Sequence, residues 1–423
     1  MNNKKILKVK ISTGQGRLHL IDSAKYLKLQ GVDIGIITGW MPPKWLPKNI
    51  MNMMGSLLGR QNLAFGLSKR IIKEISPENI GTCGTAEFYI QFLFILSKLG
   101  IIKREQAAVR GWKFYGSQAK RYIKNDIDIL HVRSGAGDGG CIKKAKEMGI
   151  KILVDHSIAH PQEVYTQLLK TFTDENNIDI QPDNEFWQLV LSDCKKADAL
   201  LVNSYYVKDS FIRNGFAADN IFVAELGIRK DFLGLKKNWD IIGDTVNLLF
   251  TGGFGLRKGA NIILKTMELL IKENISFQLD IVGNVMSDFI LPDWCKTSEY
   301  IKFHGHVPQD ELKNFFINSD IYIFPSYSEG AAQSLKEAMG AGMPVIATYQ
   351  SGAPIENLKN GLVIKDDSSE DLFKAICMLT DNQNLRSTLG KNAEKTITEF
   401  HTWEIYSKNV LNVYETLQDN NKI

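Results

Sequence analysis

Cysteine is scarce in this chain. Its 423 residues hold five, odd in number and scattered as Cys83, Cys141, Cys194, Cys295 and Cys377, with no C-x-x-C spacing. That excludes a disulfide framework and predicts reduced thiols in a cytoplasmic protein. Long apolar runs are missing too. No stretch approaches the ~20 apolar residues that cross a bilayer. Phe88 to Ile102 comes nearest, and Gln91, Ser97 and Lys98 interrupt it. The basic start is not followed by an apolar run of signal-peptide length, which supports the same cytoplasmic expectation. Short-period repeats and low-complexity tracts are also absent, which excludes solenoid arrays.

What remains is an ordinary globular composition, 44% hydrophobic and 23% charged. Short apolar runs alternate with helical patterns, which predicts an α/β fold with parallel sheets. Candidate strands are Ile6 to Ile11, Ile127 to Val132, Ile150 to Val154, a run from Leu248, Phe277 to Gly283, Ile301 to Val307 and Ile321 to Phe324. The length suits two or three domains. The polar stretch Lys236 to Asp244 is the best boundary.

Two segments carry the chemistry. Pro325 to Thr348 places Glu329 just after an apolar strand and Glu337 eight residues on, a rise of roughly 12 Å along a helix. Gly330, Ala331 and Ala332 between them are small enough for a ligand to approach the backbone. A helix start at a strand end offers N–H groups and a positive dipole end to an anion. The arrangement suits a long ligand with phosphate in its middle and hydroxyls at both ends. Leu248 to Gly259 (LLFTGGFGLRKG) runs a strand into glycines and then Arg257-Lys258 at a helix start, which suits a diphosphate. This segment matches neither the Walker nor the dinucleotide pattern. His304 and His306 alternate on a strand without a third ligand nearby, a structural rather than a metal pattern.

Together these segments resemble glycosyltransferase family 4, retaining and metal-independent transferases of the GT-B fold. The resemblance is to members that build bacterial surface polysaccharides such as lipopolysaccharide, and it extends over most of the chain. It implies two doubly wound Rossmann-like domains facing across a cleft. Residues 1–235 would bind the acceptor, 236–403 the nucleotide sugar, and 404–423 would form a helix returning to the amino-terminal domain. It implies a nucleoside-diphosphate sugar as substrate, UDP-sugar before GDP-sugar, with no cofactor and no metal. Glu337 would hold the ribose, Arg257 and Lys258 the diphosphate, and the backbone of Gly330, Ala331, Ala332 and Gln333 would add N–H groups. Glu329 and His156, with Lys258, would be catalytic, the first two facing the transferred sugar. Gly14 and Gly16, in the turn that runs to Arg17, would lie across the cleft from the diphosphate. The chain departs from the family where Gly253 stands at the usual Arg position, Leu226 at the usual Asn and Arg229 at a frequent Asp. Arg257 is the candidate to replace the missing charge.

Charge is unevenly spread. Residues 1–125 carry 21 Lys and Arg against 6 Asp and Glu, whereas the remainder carries 30 against 41. The basic half includes Trp40 to Lys48 (WMPPKWLPK), Met51, Met53, Met54, Leu57 and Leu58. Further along, Lys98, Lys103, Arg104, Arg110 and Lys113 are interleaved with Trp112, Phe114 and Tyr115. Basic residues mixed with Trp, Met and Leu predict peripheral attachment to an anionic membrane surface, at the inner face of the cytoplasmic membrane, with a glycan or lipid-linked acceptor. No nucleic-acid motif accompanies the charge. The rival readings are a nucleotide-sugar epimerase of the same fold and a non-catalytic membrane-assembly scaffold.

Overall fold

The computed structural model describes residues 6–16, 19–42, 53 and 70–419. Arg17 and most of the Trp- and Met-rich stretch, residues 43–52 and 54–69, lie outside them. Two parallel sheets organise the chain. The first contains β1 (Lys8–Ser12), β2 (Asp33–Thr38), β3 (Ile80–Thr82), β4 (Ile129–Arg133), β5 (Lys151–His156), β6 (Ala199–Val202) and β7 (Ile221–Val223) in the order β3-β2-β1-β4-β5-β6-β7. The second contains β8 (Val246–Thr251), β9 (Phe277–Val282), β10 (Ile301–Gly305), β11 (Ile321–Phe324), β12 (Val345–Thr348) and β13 (Leu362–Ile364) in the order β10-β9-β8-β11-β12-β13. Each order reverses once, between β1 and β4 and between β8 and β11. Ligands of open α/β sheets bind outside the carboxyl ends of the strands at such a reversal.

Burial explains the strands. β5, β6, β11 and β12 are buried along almost their whole length, as parallel strands covered on both faces must be. Phe250 stacks on Phe324 at 5.6 Å in the core of the second sheet. Burying each such ring stabilises the domain by about 1.5–3 kcal/mol.

The sheets are joined at a seam. Ser204 caps the helix Tyr205–Arg213 by accepting from the Val207 N–H, and its Oγ donates to the Gly330 carbonyl at 2.5 Å. Tyr206 bonds Ser328 at 3.0 Å. The helix Trp403–Asp419 returns to the first sheet, where Trp403 stacks on Tyr26 and Tyr414 Oη bonds His131 at 2.7 Å.

The boundary stretch is less free than its polarity suggests. Lys236 is buried because its ammonium donates to the Ser319 carbonyl at 2.6 Å, and Trp239 donates to the Gly342 carbonyl at 2.8 Å. The linker is therefore laid onto the second domain. A glycine loop after β4 (Gly135-Ala136-Gly137-Asp138-Gly139-Gly140) has dinucleotide spacing, but the Asp193 carboxylate already accepts from the Gly135 and Gly137 N–H groups at 2.8 Å each. An internal carboxyl group occupies that nest.

Candidate active site

The reversal between β8 and β11 brings the two sequence segments together. The Arg257 carbonyl accepts from the Tyr327 N–H at 3.0 Å and the Ser326 hydroxyl at 3.1 Å, pinning one loop to the other. Gly259 has φ +79°, and a Cβ there would sit 2.1 Å from the Pro325 carbonyl, so only glycine lets the loops approach. Glu329 lies between the cations. Its Oε1 is 2.6 Å from Arg257 Nη1 and 3.5 Å from Lys258 Nζ. Lys258 also lies over the Phe324 ring at 5.0 Å. Arg257 spends a second bond on the Ser328 carbonyl at 2.8 Å. At Gly253, Met286 Sδ lies 2.7 Å from where a Cβ would stand, so that wall is thioether rather than guanidinium.

The helix Gln333–Gly340 follows β11. Its amino end has no side-chain cap, and no acceptor among the described residues takes the N–H groups of Gln333, Ser334 and Leu335. Two expectations change here. The Ala332 N–H is committed to the Ser351 carbonyl at 2.9 Å, which takes it out of the expected donor set. The absent side chain of Gly330 does not make room for a ligand. A Cβ there would lie 1.8 Å from the Ser157 carbonyl, so the glycine serves the seam between domains.

Glu337 projects from the first two turns of that helix, and its carboxyl group has no hydrogen-bond partner among the described residues. Burial pushes its carboxyl up to about 7, against the attraction of Arg229 and Lys336. Lys336 beside it is fully enclosed. Burial pulls it down to about 8, and its Nζ donates to the Leu226 carbonyl at 2.5 Å. Gln333 donates its side-chain amide to the Gly227 carbonyl at 3.1 Å. The helix that offers its amino end to the cleft thus also grips the turn connecting the domains.

The first domain supplies the opposite wall. Gly14, with φ +68°, lies against Trp112, whose Cζ3 is 2.5 Å from a built Cβ. Gly16 rests on Arg133, which donates to its carbonyl at 3.3 Å. His156 ends β5. Its Nδ1 bonds Ser134 at 2.9 Å, its ring meets Phe211 edge-on at 4.9 Å, and its Nε2 has no partner. Burial pulls His156 down to about 4, so the ring is neutral at pH 7. His304 bonds Asp280 at 2.7 Å and packs on Phe315.

The composite is a cation pair, an open helix start and two carboxylates at the carboxyl ends of one sheet, with a glycine turn and a histidine on the facing sheet. Residues 234–396 match the family described as Glycosyl transferases group 1. Sucrose-phosphate synthase from Thermosynechococcus elongatus superposes with a TM-score of 0.68 at 16% identity, over 98% of this chain and 100% of that one. The fold is GT-B.

Anabaena HepE in complex with UDP and glucose shares the GT-B arrangement, with a TM-score of 0.56 at 13% identity over 97% of this chain and 99% of that chain. In sequence, an uncharacterised glycosyltransferase of Methanocaldococcus jannaschii is 27% identical over 230 residues, covering 53% of this chain and 61% of that relative. The chain thus spans less than two thirds of that relative's length. Within the GT-B frame, sequence reasoning missed the bracing of the Ser328–Gly330 loop by Ser204 and Tyr206, and the enclosure of Lys336. No local pattern marks them, since their partners lie 110 to 126 residues away.

Proposed function

We propose that this chain is a glycosyltransferase. It moves a hexose, with retention and without metal, from a nucleoside-diphosphate sugar to a glycan or lipid-linked acceptor of a surface polysaccharide, with UDP-sugar preferred over GDP-sugar. The observation that carries the reading is that Arg257 and Lys258 meet at Glu329 just before an open helix start at the strand-order reversal, with Glu337 further along the same helix. Glu337, open and largely desolvated, accepts from both ribose hydroxyls. The N–H groups of Gln333, Ser334 and Leu335, with Lys258 and Arg257, hold the diphosphate. Phosphate oxygens compete with Glu329 for the two cations, which releases that carboxylate toward the sugar. His156 ends the facing strand, and its contact with a sugar hydroxyl requires the buried Nε2 to be uncovered as donor binds. The bond from the anomeric carbon to phosphate oxygen breaks while the acceptor oxygen bonds that carbon on the same face. The acceptor's proton passes to the departing phosphate.

Nucleotide binding is the direct test. In a thermal-shift panel of UDP-, GDP-, ADP- and TDP-sugars, a UDP-sugar at 100 times its Kd should stabilise the protein by ~2.7 kcal/mol. A panel without any shift removes the reading. Product formed from donor alone, without acceptor, points to an epimerase instead.

Membrane attachment belongs to the same proposal and gains support from the helix Gly84–Lys98. Phe88, Phe92, Ile95 and Leu99 recur along one side of it and are 54–68% exposed. Exposed Lys98, Lys103, Arg104, Arg110 and Lys113 flank them. The stripe begins at the cleft rim, where Trp40 meets Phe88 at 6.4 Å. An apolar stripe edged by cations suits the interface of an anionic bilayer. No helix among the described residues is long and apolar enough to cross one. The protein should sediment with anionic vesicles and stay in solution with neutral ones. The double replacement Phe92→Ser and Ile95→Ser should abolish sedimentation. Equal recovery in the supernatant with both lipids rejects attachment.

A further inference from the structure

Arg133 occupies a position in the cleft that the reading above leaves unused. It ends β4, the strand that neighbours β1 at the reversal of the first sheet. In register it faces Asp155, two residues before Ser157, whose carbonyl abuts Gly330 of the second domain. Arg133 therefore stands at the carboxyl edge of one sheet, across the seam from the Glu329 loop of the other.

Its surroundings do not satisfy it. The guanidinium offers five N–H donors. Among the described residues its side chain makes one hydrogen bond, to the Gly16 carbonyl at 3.3 Å, and lies over the Trp112 ring at 5.2 Å. Among the described residues no carboxylate comes within ion-pair distance. Asp155, the nearest in register, is taken by His19 at 3.0 Å and His131 at 3.5 Å. The contrast with Arg386 is instructive. That buried guanidinium donates to the carbonyls of Trp239 at 3.0 Å, Leu379 at 2.5 Å and Thr380 at 2.7 Å. Where this fold buries an arginine for structure, it surrounds it with acceptors. Arg133 is half-buried and, among the described residues, left with donors to spare, which leaves it open to an anion.

Charge balance points the same way. Arg257 and Lys258 share Glu329, so that side of the cleft contributes only one net positive charge, while the diphosphate of a nucleotide sugar carries two negative ones. The first sheet supplies the deficit with a planar fork suited to phosphate oxygens. We infer that Arg133 is an anion-binding residue of the cleft that takes a phosphoryl group of the substrates. This rests on the nucleotide-sugar reading only for the identity of the donor. Two sources share that chemistry, the donor diphosphate and a phosphate on the acceptor.

Arg133→Gln removes the charge and the fork while keeping a side-chain amide donor at the position. We would titrate UDP into the wild-type chain and R133Q by calorimetry, then titrate inorganic phosphate into each after saturation with UDP. If the donor supplies the anion, R133Q should weaken UDP about tenfold or more. If the acceptor supplies it, UDP binding should be unchanged while phosphate binding to the UDP-saturated protein disappears. R133K, which keeps the charge without the fork, should fall between wild type and R133Q in whichever titration responds, and it serves if R133Q does not fold. Affinities for UDP and phosphate within twofold of wild type in R133Q overturn the inference and leave Arg133 a brace for the Gly14–Gly16 turn. Should wild-type protein bind phosphate or pyrophosphate but no nucleotide, the nucleotide-sugar reading fails, and R133Q still tests this one against those anions.

Discussion

Lys258→Ala should lower kcat about 100-fold, the usual cost of removing one preorganised group from a developing oxyanion. The ammonium is half-way into the protein, packed on Phe324 and shared with Glu329. Negative charge grows on the phosphate as the sugar departs, so its attraction to Lys258 is stronger in the transition state than in the ground state. The KM for donor should move little, since Arg257 and the open N–H groups still hold the diphosphate. Loss concentrated in kcat therefore distinguishes a role in leaving-group departure from one in binding alone. A kcat/KM within twofold of wild type would reject the phosphate assignment. Lys258→Arg should recover only part of the rate, because a forked guanidinium cannot reproduce a point charge on the Phe324 face.

Glu337→Gln should raise the donor KM at least tenfold while making the free protein more stable. The two effects share one cause. Burial holds the carboxyl near 7 rather than at its ordinary 4.5, which means that the folded protein resists charging it. The raised value favours the folded state below pH 4.5, and that advantage is lost as pH rises through 7. An uncharged amide removes the penalty, so at pH 8 the variant should be more stable by about 2 kcal/mol in denaturant unfolding. Binding runs with the opposite sign. Ribose hydroxyls need the charged carboxylate, so affinity for a nucleotide sugar should rise roughly tenfold from pH 6 to pH 8 as a group near 7 ionises. The diphosphate of a nucleotide sugar does not titrate in that window, and the slope should vanish in Glu337→Gln. A variant that binds donor as tightly as wild type at pH 8 would sink the ribose role. Such a balance, stability given up where function needs a charge, is common in binding sites.

The strands legible in the sequence were those with unbroken apolar runs. Ile321 to Phe324 and Ile150 to Val154 need no partner to be recognised, because both faces are buried. β3 and β7, three residues each, carry too little pattern and exist because a neighbouring strand offers its edge. Glycine-rich stretches located the loops, and the expected order of segments around Arg257, Lys258, Glu329 and Glu337 assigned these residues to one cleft. Sequence also suggested an open path to the backbone at Gly330, where the tertiary structure instead packs Ser157.

Periodicity and loop glycines along one chain determined the α/β plan, because each is set by neighbours a few positions away, and the resemblance to a known family marked the segments expected to carry the chemistry. Which carboxylate is paired and which is open, which lysine is enclosed and which guanidinium is left unsatisfied were decided only when two sheets met. Those properties depend on solvent exclusion and on partners a hundred residues distant, as with Ser204 at Gly330 and Lys336 at Leu226. Burial sets the cost of each charge, and burial is a property of the assembled cleft rather than of any segment within it.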